Sequence, residues 1–174
     1  MFENNRSNPF PRPVHVLRYV ITVFAVMAWS MWIAGFTFFT SISLRVAHKI
    51  LGEGHHFGFV TQIVTERINQ AGIIAVILLT LHLILHRSEI ACPRLIAMTI
   101  TCLTLMFTLG TQIHMHGLLD QLIDAPARRV LDDATFAPIH DRYQMYASIQ
   151  WAVAIIHLAP MLYRPLKHGE KGIT

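Results

Sequence analysis

Four long stretches of the chain contain no Lys, Arg, Asp or Glu, and charged residues bracket each of them. They cover residues 19–44, 68–86, 95–119 and 143–163. About 20 apolar residues in a helix cross the ~30 Å hydrocarbon core of a bilayer. Because lipid offers no partners for backbone polar groups, such segments form helices. The pattern predicts an all-α fold, an integral membrane four-helix bundle that makes residues 1–174 a single transmembrane domain.

An even number of spans places both termini on the same side of the membrane. That side carries eight of the 14 Lys and Arg residues and the other side carries six. The excess of positive charge favours cytoplasmic termini. The first stretch is longer than the apolar core of a signal peptide, so it is expected to be retained. The expected location is the bacterial inner membrane, because nothing resembles a transit peptide.

The segments between the spans differ in character. The only strong turn signal between the first two spans is Gly52-Glu53-Gly54. Helix 1 and helix 2 are therefore expected to form a hairpin that projects beyond the membrane. Residues 120–142 form a longer outer loop. The N-terminal segment 1–13 contains three prolines and is expected to be extended.

Composition and motifs narrow the function classes. Charged residues make up 14% of the chain, against about 25% in soluble domains. The net charge of +4 comes without a basic stripe interleaved with aromatic residues, which argues against nucleic-acid binding. No Gly-x-Ser-x-Gly, Walker or His-Glu-x-x-His motif is present. The two cysteines lack zinc spacing. An enzyme or a metal site is therefore not the leading expectation.

Eleven histidines are the main functional clue. His82 and His86 share a face of span 2, and His157 on span 4 lies at a similar depth, roughly 6–9 Å inside the membrane. Histidines on facing helices can hold a b-type haem from both sides. The alternative is that they hydrogen-bond to neighbouring helices or snorkel. The candidate haem ligands are His82, His86, His157 and His114.

A second set of polar side chains lies towards the outer ends of the spans. Unpaired amides are costly in lipid, so these groups are expected to face one another or a wet cavity. Such a cavity suits a quinone head group, a haem edge or a metal, whereas hydrogen bonding between helices explains the set equally well. The predicted outer polar pocket consists of Asn69, Gln70, Gln112, His116, Tyr143, Gln144 and Ser148.

Two stretches of sequence resemble a known family. One is WIAGFTFF at residues 32–39, and the other is FAPIHDRY at residues 136–143. Together they resemble the four-helix membrane proteins called domain of unknown function 4149, which are similar to eukaryotic transmembrane protein 205. The resemblance implies a four-helix bundle without a known reaction. It also implies that Phe136, His140 and Tyr143 anchor the outer loop to the bundle.

Three functions follow from these patterns. The leading one is a non-catalytic accessory subunit of a larger membrane complex, because the chain is small, its loops are short and it has no catalytic motif. Its partners are then the lipid bilayer and other membrane protein subunits. The alternative is a haem-binding or quinone-interacting electron-transfer protein, suggested by the histidines. A second alternative, suggested by the outer polar pocket, is a metal or small-solute transporter.

Overall fold

The computed structural model describes residues 13–51, 55–124 and 129–162, and most of these residues are helical. The helices are α1 (Pro13–Phe38), a π-helical segment (Phe39–Ser43), α2 (Leu44–Leu51), α3 (His55–His86), α4 (Cys92–Gln121) and α5 (Asp133–Leu162). Within these ranges, four helical rods are long and apolar enough to cross a membrane: Val14–Ile50, Val60–His86, Cys92–Gln121 and Asp133–Leu162. The prediction of an all-helical fold with four helices able to span a membrane is confirmed. The proposed turn at residues 52–54 and nearly all of the N-terminal segment lie outside the described residues.

The helical rods are longer than the uncharged stretches that predicted them. The rod Val14–Ile50 has 37 residues, which corresponds to about 56 Å at 1.5 Å per residue. The hydrocarbon core of a bilayer is only ~30 Å thick. Charged residues limit how far a helix can lie in lipid, but they do not end the helix in water. The absence of charge therefore marked the lipid-compatible part of each rod.

The outer loop is shorter than the predicted range of residues 120–142. Helix α4 runs to Gln121 and α5 begins at Asp133. Between them, strand β1 (Ile123–Asp124) pairs antiparallel with strand β2 (Arg129–Val130). Helix α5 starts early because Asp132 Oδ1 accepts hydrogen bonds from the backbone N–H groups of Ala134 and Thr135, at 3.0 and 3.2 Å. This is N-capping by an aspartate.

The π-helical segment was not predicted, and two side-chain hydroxyls bond to backbone carbonyls just before it. The Thr40 hydroxyl donates to the carbonyl of Phe36 at 2.9 Å, and the Ser41 hydroxyl donates to the carbonyl of Thr37. Hydroxyls that occupy helix carbonyls compete with the backbone ladder and deform the helix. Here the N–H of Leu44 reaches back to the carbonyl of Phe39, five residues earlier. The widened turn joins α1 to α2 without ending the rod.

The bundle is arranged around α3, which contacts both α1 and α4. Helix α5 packs along α4 and has a smaller contact with α1. Small residues sit at the helix contacts, since Ala25, Ala75 and Ala154 are fully buried. Small side chains let helix backbones approach closely in membranes. The larger members of the same core are Trp32, Leu79, Leu83, Met98, Leu105, Leu109 and Met161.

Candidate functional site in two polar clusters

The first polar cluster lies where α1 begins and α3 ends, and we call it the His82 cluster. Thr22 joins its two histidines, with Oγ1 lying 3.1 Å from His82 Nδ1 and 3.2 Å from His86 Nε2. The Arg18 guanidinium forms an ion pair with Glu89. The other carboxylate oxygen of Glu89 lies 3.3 Å from His86 Nδ1. A continuous chain of polar contacts therefore leads from Arg18 to the buried ring of His82.

His157 on α5 is fully buried and makes one hydrogen bond. Its Nδ1 lies 2.6 Å from Thr101 Oγ1, and that hydroxyl lies 2.9 Å from the carbonyl of Ala97. In the tautomer that carries its proton on Nδ1, the imidazole donates to Oγ1 and the hydroxyl donates to the carbonyl. Nε2 then carries a lone pair, and it has no hydrogen-bond partner among the described residues. A buried imidazole nitrogen of this kind is chemically able to ligate haem iron or accept a proton.

The structure brings together only some of the four candidate haem ligands. His82 and His86 are neighbours, with ring centroids 4.6 Å apart. His157 lies close enough to His82 for charges on the two rings to interact. His114 is exposed on α4, 13 residues beyond Thr101 and thus about 20 Å along that helix. His114 therefore does not belong to the His82 cluster.

The second polar cluster lies towards the opposite end of the bundle, and we call it the Tyr143 cluster. The Tyr143 hydroxyl lies 3.3 Å from Asn69 Nδ2, which links α5 to α3. Gln112 on α4 donates to Gln150 on α5, and both side chains are buried. The ring of His116 lies edge-on to Tyr143 with centroids 6.4 Å apart. These contacts tie α3, α4 and α5 together across the bundle.

His116 also extends the Tyr143 cluster to the helix ends. Its Nδ1 lies 3.1 Å from Asp120 Oδ2, and its Nε2 lies 3.3 Å from the carbonyl of Gln62. The amide of Gln62 in turn donates to Asp120 at 2.6 Å. The imidazole is therefore held between α3 and α4 by two polar groups, the Asp120 carboxylate and the Gln62 carbonyl.

The structure places the predicted outer pocket residues in two different settings. Inside the bundle, Tyr143 contacts Asn69 and His116, and Gln112 bonds to Gln150. The other three are exposed and bond locally. Gln70 bonds to Glu66 and Arg67, Gln144 lies 3.4 Å from His140, and the Ser148 hydroxyl donates to the carbonyl of Gln144.

The recorded contacts of Phe136 and His140 lie within α5. Their rings stack with centroids 5.6 Å apart and an interplanar angle of 16°. His140 then contacts Gln144 one turn later. Of the three residues in the resemblance, Tyr143 reaches another helix through its hydrogen bond with Asn69 of α3.

Several residues that complete the clusters were not predicted as site residues. Thr22 and Thr101 orient His82 and His157, and Gln62 and Asp120 hold His116. The two threonines could have been predicted from the sequence, because each lies on a neighbouring span at the depth of its histidine. The contact of Gln62 depends on how far α3 extends past its apolar stretch, which composition does not reveal.

No known family model, curated protein or solved structure matches this chain. The interpretation of both clusters therefore rests on the chain itself.

Proposed function

We propose that the protein is a non-catalytic subunit of a larger membrane assembly, and that α4 receives a transmembrane helix of another subunit. The observation that carries this proposal is His114. Its side chain is exposed on the bundle surface, five residues and thus about 8 Å inside the uncharged stretch 95–119. An imidazole facing lipid at that depth is unfavourable, and polar residues in spans usually meet a partner or a cavity.

The surface around His114 supports a helix as that partner. Gly110, His114 and Gly117 lie on one face of α4 through their spacing of four and three residues. A Cβ atom added at either glycine would meet no atom within 4 Å, so the face is open. Glycines on an exposed helix face allow another helix to approach closely, and a polar side chain between them can hydrogen-bond across the contact.

Other polar residues on α4 do not require a hydrogen-bond partner from a second subunit. The hydroxyls of Thr104 and Thr111 donate to the carbonyls of Ile100 and Phe107, both at 2.9 Å. A threonine in a membrane helix satisfies itself in this way. His114 has no hydrogen-bond partner within the described ranges. It is therefore the residue on this face that gains most from a second subunit.

The assembly is proposed to lie in a bacterial inner membrane with both termini in the cytoplasm. The distribution of Lys and Arg supports this orientation. Contacts at one end of the bundle support the placement of both termini on the same side. Arg18 near the start of α1 pairs with Glu89 after α3, and Arg94 of α4 donates to the carbonyl of Met161 in α5 at 3.1 Å. The length of the α1–α2 rod supports a hairpin that projects beyond the opposite face.

The subunit proposal is tested by the size of the protein in gently solubilised native membranes. Wild type is expected to migrate in a complex well above its own 19.8 kDa. Gly110→Leu should release it from that complex by filling the docking face. Ala152→Leu adds similar bulk on an exposed face of α5 and should leave the complex intact. Migration of wild type as a lone chain plus detergent would refute the proposal.

A haem-binding function is the second candidate, and His157 Nε2 favours it. The nitrogen is buried and has no hydrogen-bond partner among the described residues, and it carries a lone pair in the tautomer protonated on Nδ1. Haem b would supply one-electron redox chemistry if these residues held it. An absorbance spectrum of the purified protein, oxidised and then reduced with dithionite, tests this candidate. A b-type α-band that disappears in His157→Ala supports it, and a flat visible spectrum eliminates it.

We also retain as a proposal the distant similarity to the domain of unknown function 4149 and transmembrane protein 205 proteins. The support comes from the two short stretches of sequence at residues 32–39 and 136–143 and from four membrane-spanning helices. It adds no reaction to the function proposed above.

A further inference from the structure

An open groove lies between the α1–α2 rod and α3. Its volume is about 390 Å³, within the range of pockets that hold small ligands. Buried Trp32 contributes to its lining, whereas Met31 and Phe38 line it with exposed side chains. Aliphatic and aromatic residues supply most of the lining. This surface suits a hydrocarbon chain.

Two local features of α1 create the space. Gly35 lines the groove, and a Cβ added there would meet nothing within 4 Å. The π-helical segment begins four residues later and contributes Phe39 and Ser43 to the lining. π-Helical turns are rare and occur frequently at functional sites. The groove is therefore produced by the sequence features that distinguish α1 from a regular helix.

A positive charge lies at one part of the groove. Arg67 contributes to the lining and donates from Nη1 to Gln70 Oε1 at 2.9 Å. The Gln70 amide also donates to the Glu66 carboxylate. The amide therefore lies between that carboxylate and the Arg67 guanidinium. In the part of the chain that the structure describes, no carboxylate forms a salt bridge with Arg67. The guanidinium keeps donors available for an anion such as a phosphate.

The groove is long enough to extend across one leaflet of a bilayer. Arg67 is the last charged residue before the uncharged stretch 68–86, which places it near the lipid head groups. Along the rod, lining residues run from Ala47 to Met31, or about 24 Å at 1.5 Å per residue. Half of a ~30 Å hydrocarbon core is about 15 Å. A lipid with its phosphate at Arg67 would therefore lay an acyl chain along the groove towards the bilayer centre.

We infer that the groove between the α1–α2 rod and α3 binds an anionic phospholipid, with one acyl chain against Trp32 and Gly35 and the phosphate at Arg67. This site is separate from the α4 face proposed for subunit docking. Binding here would make the lipid part of the α1–α3 contact.

Native mass spectrometry of the detergent-purified full chain tests this inference. Phosphatidylglycerol and phosphatidylcholine with the same acyl chains are added separately. Wild type should retain phosphatidylglycerol in preference. Arg67→Gln should reduce that preference about tenfold through loss of a charge-assisted contact. Arg67→Lys should retain part of it, and Arg45→Gln, which removes an exposed charge outside the groove, should leave it unchanged.

The acyl-chain part of the site is tested by filling the groove. Gly35→Leu should weaken binding of both lipids, and Gly35→Ala should cause a smaller loss. Ala152→Leu adds bulk on an exposed face outside the groove and serves as the control. Thermal melting of each variant shows whether it is folded. Equal retention of both lipids by wild type, or unchanged retention in folded Gly35→Leu, would overturn the inference.

Discussion

Gly72 allows α3 to approach Trp32 of α1 at close range. A Cβ at this position would lie 2.9 Å from Trp32 Nε1 and 3.2 Å from Leu109 Cδ1. Both neighbours are buried, so accommodating the Cβ would require side chains packed in the bundle to shift. Replacing glycine by alanine in a helix gains about 0.5–1 kcal/mol of conformational free energy, whereas overpacking costs about 1–3 kcal/mol. We expect Gly72→Ala to lower the thermal stability of the protein in detergent.

Gly117→Ala is the matched control for that change. The added Cβ would meet no atom within 4 Å, so only the helix-propensity gain remains. Its melting temperature should equal or exceed that of wild type. A Gly72→Ala protein as stable as Gly117→Ala would show that the α1–α3 contact is looser than the structure describes.

We expect substitutions of Gln112 and Gln150 to have non-additive effects on stability. Both side chains are buried and bonded to each other, and Gln150 Nε2 has no partner among the described residues. Gln112→Leu leaves Gln150 Oε1 unpaired as well and should cost about 1 kcal/mol, the scale for hydrogen bonds between membrane helices. The double change to leucine removes both amides and should restore most of the lost stability. Additive losses in a double-mutant cycle would contradict a direct bond.

The outer polar pocket shows what sequence reasoning can establish about single residues. The cost of unpaired amides implied that the polar groups of this pocket find partners, and each of the seven residues forms a hydrogen bond. It did not reveal which side of each helix a residue occupies. Gln144 and Ser148 satisfy themselves within α5, as Gln70 does within α3. These local bonds compete with contacts between helices, and depth along a span cannot distinguish the two.

The start of α5 depends on the charge of Asp132. Hydrogen bonds from the Thr135 side chain and backbone lower the pKa of this carboxyl below its ordinary value near 3.8. A group whose pKa is lower in the folded state stabilises the fold above its unfolded pKa and loses that effect as pH falls through its folded pKa. Wild type should therefore melt at a higher temperature than Asp132→Asn near pH 6. The difference should shrink as pH falls below about 3.8 and vanish once pH lies below the lowered pKa of the folded carboxyl. A difference independent of pH would show that the charge does not contribute.

The helices were predictable where the lipid environment determines the backbone structure. They were not predictable where local hydrogen bonds determine it. The four uncharged stretches located four helices because no other backbone structure survives in lipid. The early start of α5 depends on the Asp132 cap, and the π-helical segment lies where the hydroxyls of Thr40 and Ser41 bond to helix carbonyls. Such features involve one or two side chains. Hydrophobic patterning over 20 residues does not detect them.

For the whole molecule, the order of helices around the bundle decided which histidines could meet. The sequence placed His82 and His157 at a similar depth but could not show how α3 and α5 are arranged. In the structure α4 contacts both helices. Thr22 of α1 and Thr101 of α4 occupy one nitrogen of each ring. The depth of a residue follows from its position along its span. Which helix packs against it depends on how all four helices are arranged.

The proposed orientation of the whole molecule can be measured with its own cysteines. Cys92 is exposed at the start of α4, two residues from Arg94, which contacts the end of α5, whereas Cys102 is buried. If the termini are cytoplasmic, a membrane-impermeant maleimide should label Cys92 only after the inner membrane is disrupted. Leu131→Cys in a Cys92→Ser background places an exposed thiol between β2 and α5 and should be labelled in intact cells. The opposite pattern would invert the orientation, and equal labelling of both positions in intact cells would contradict a membrane-spanning bundle.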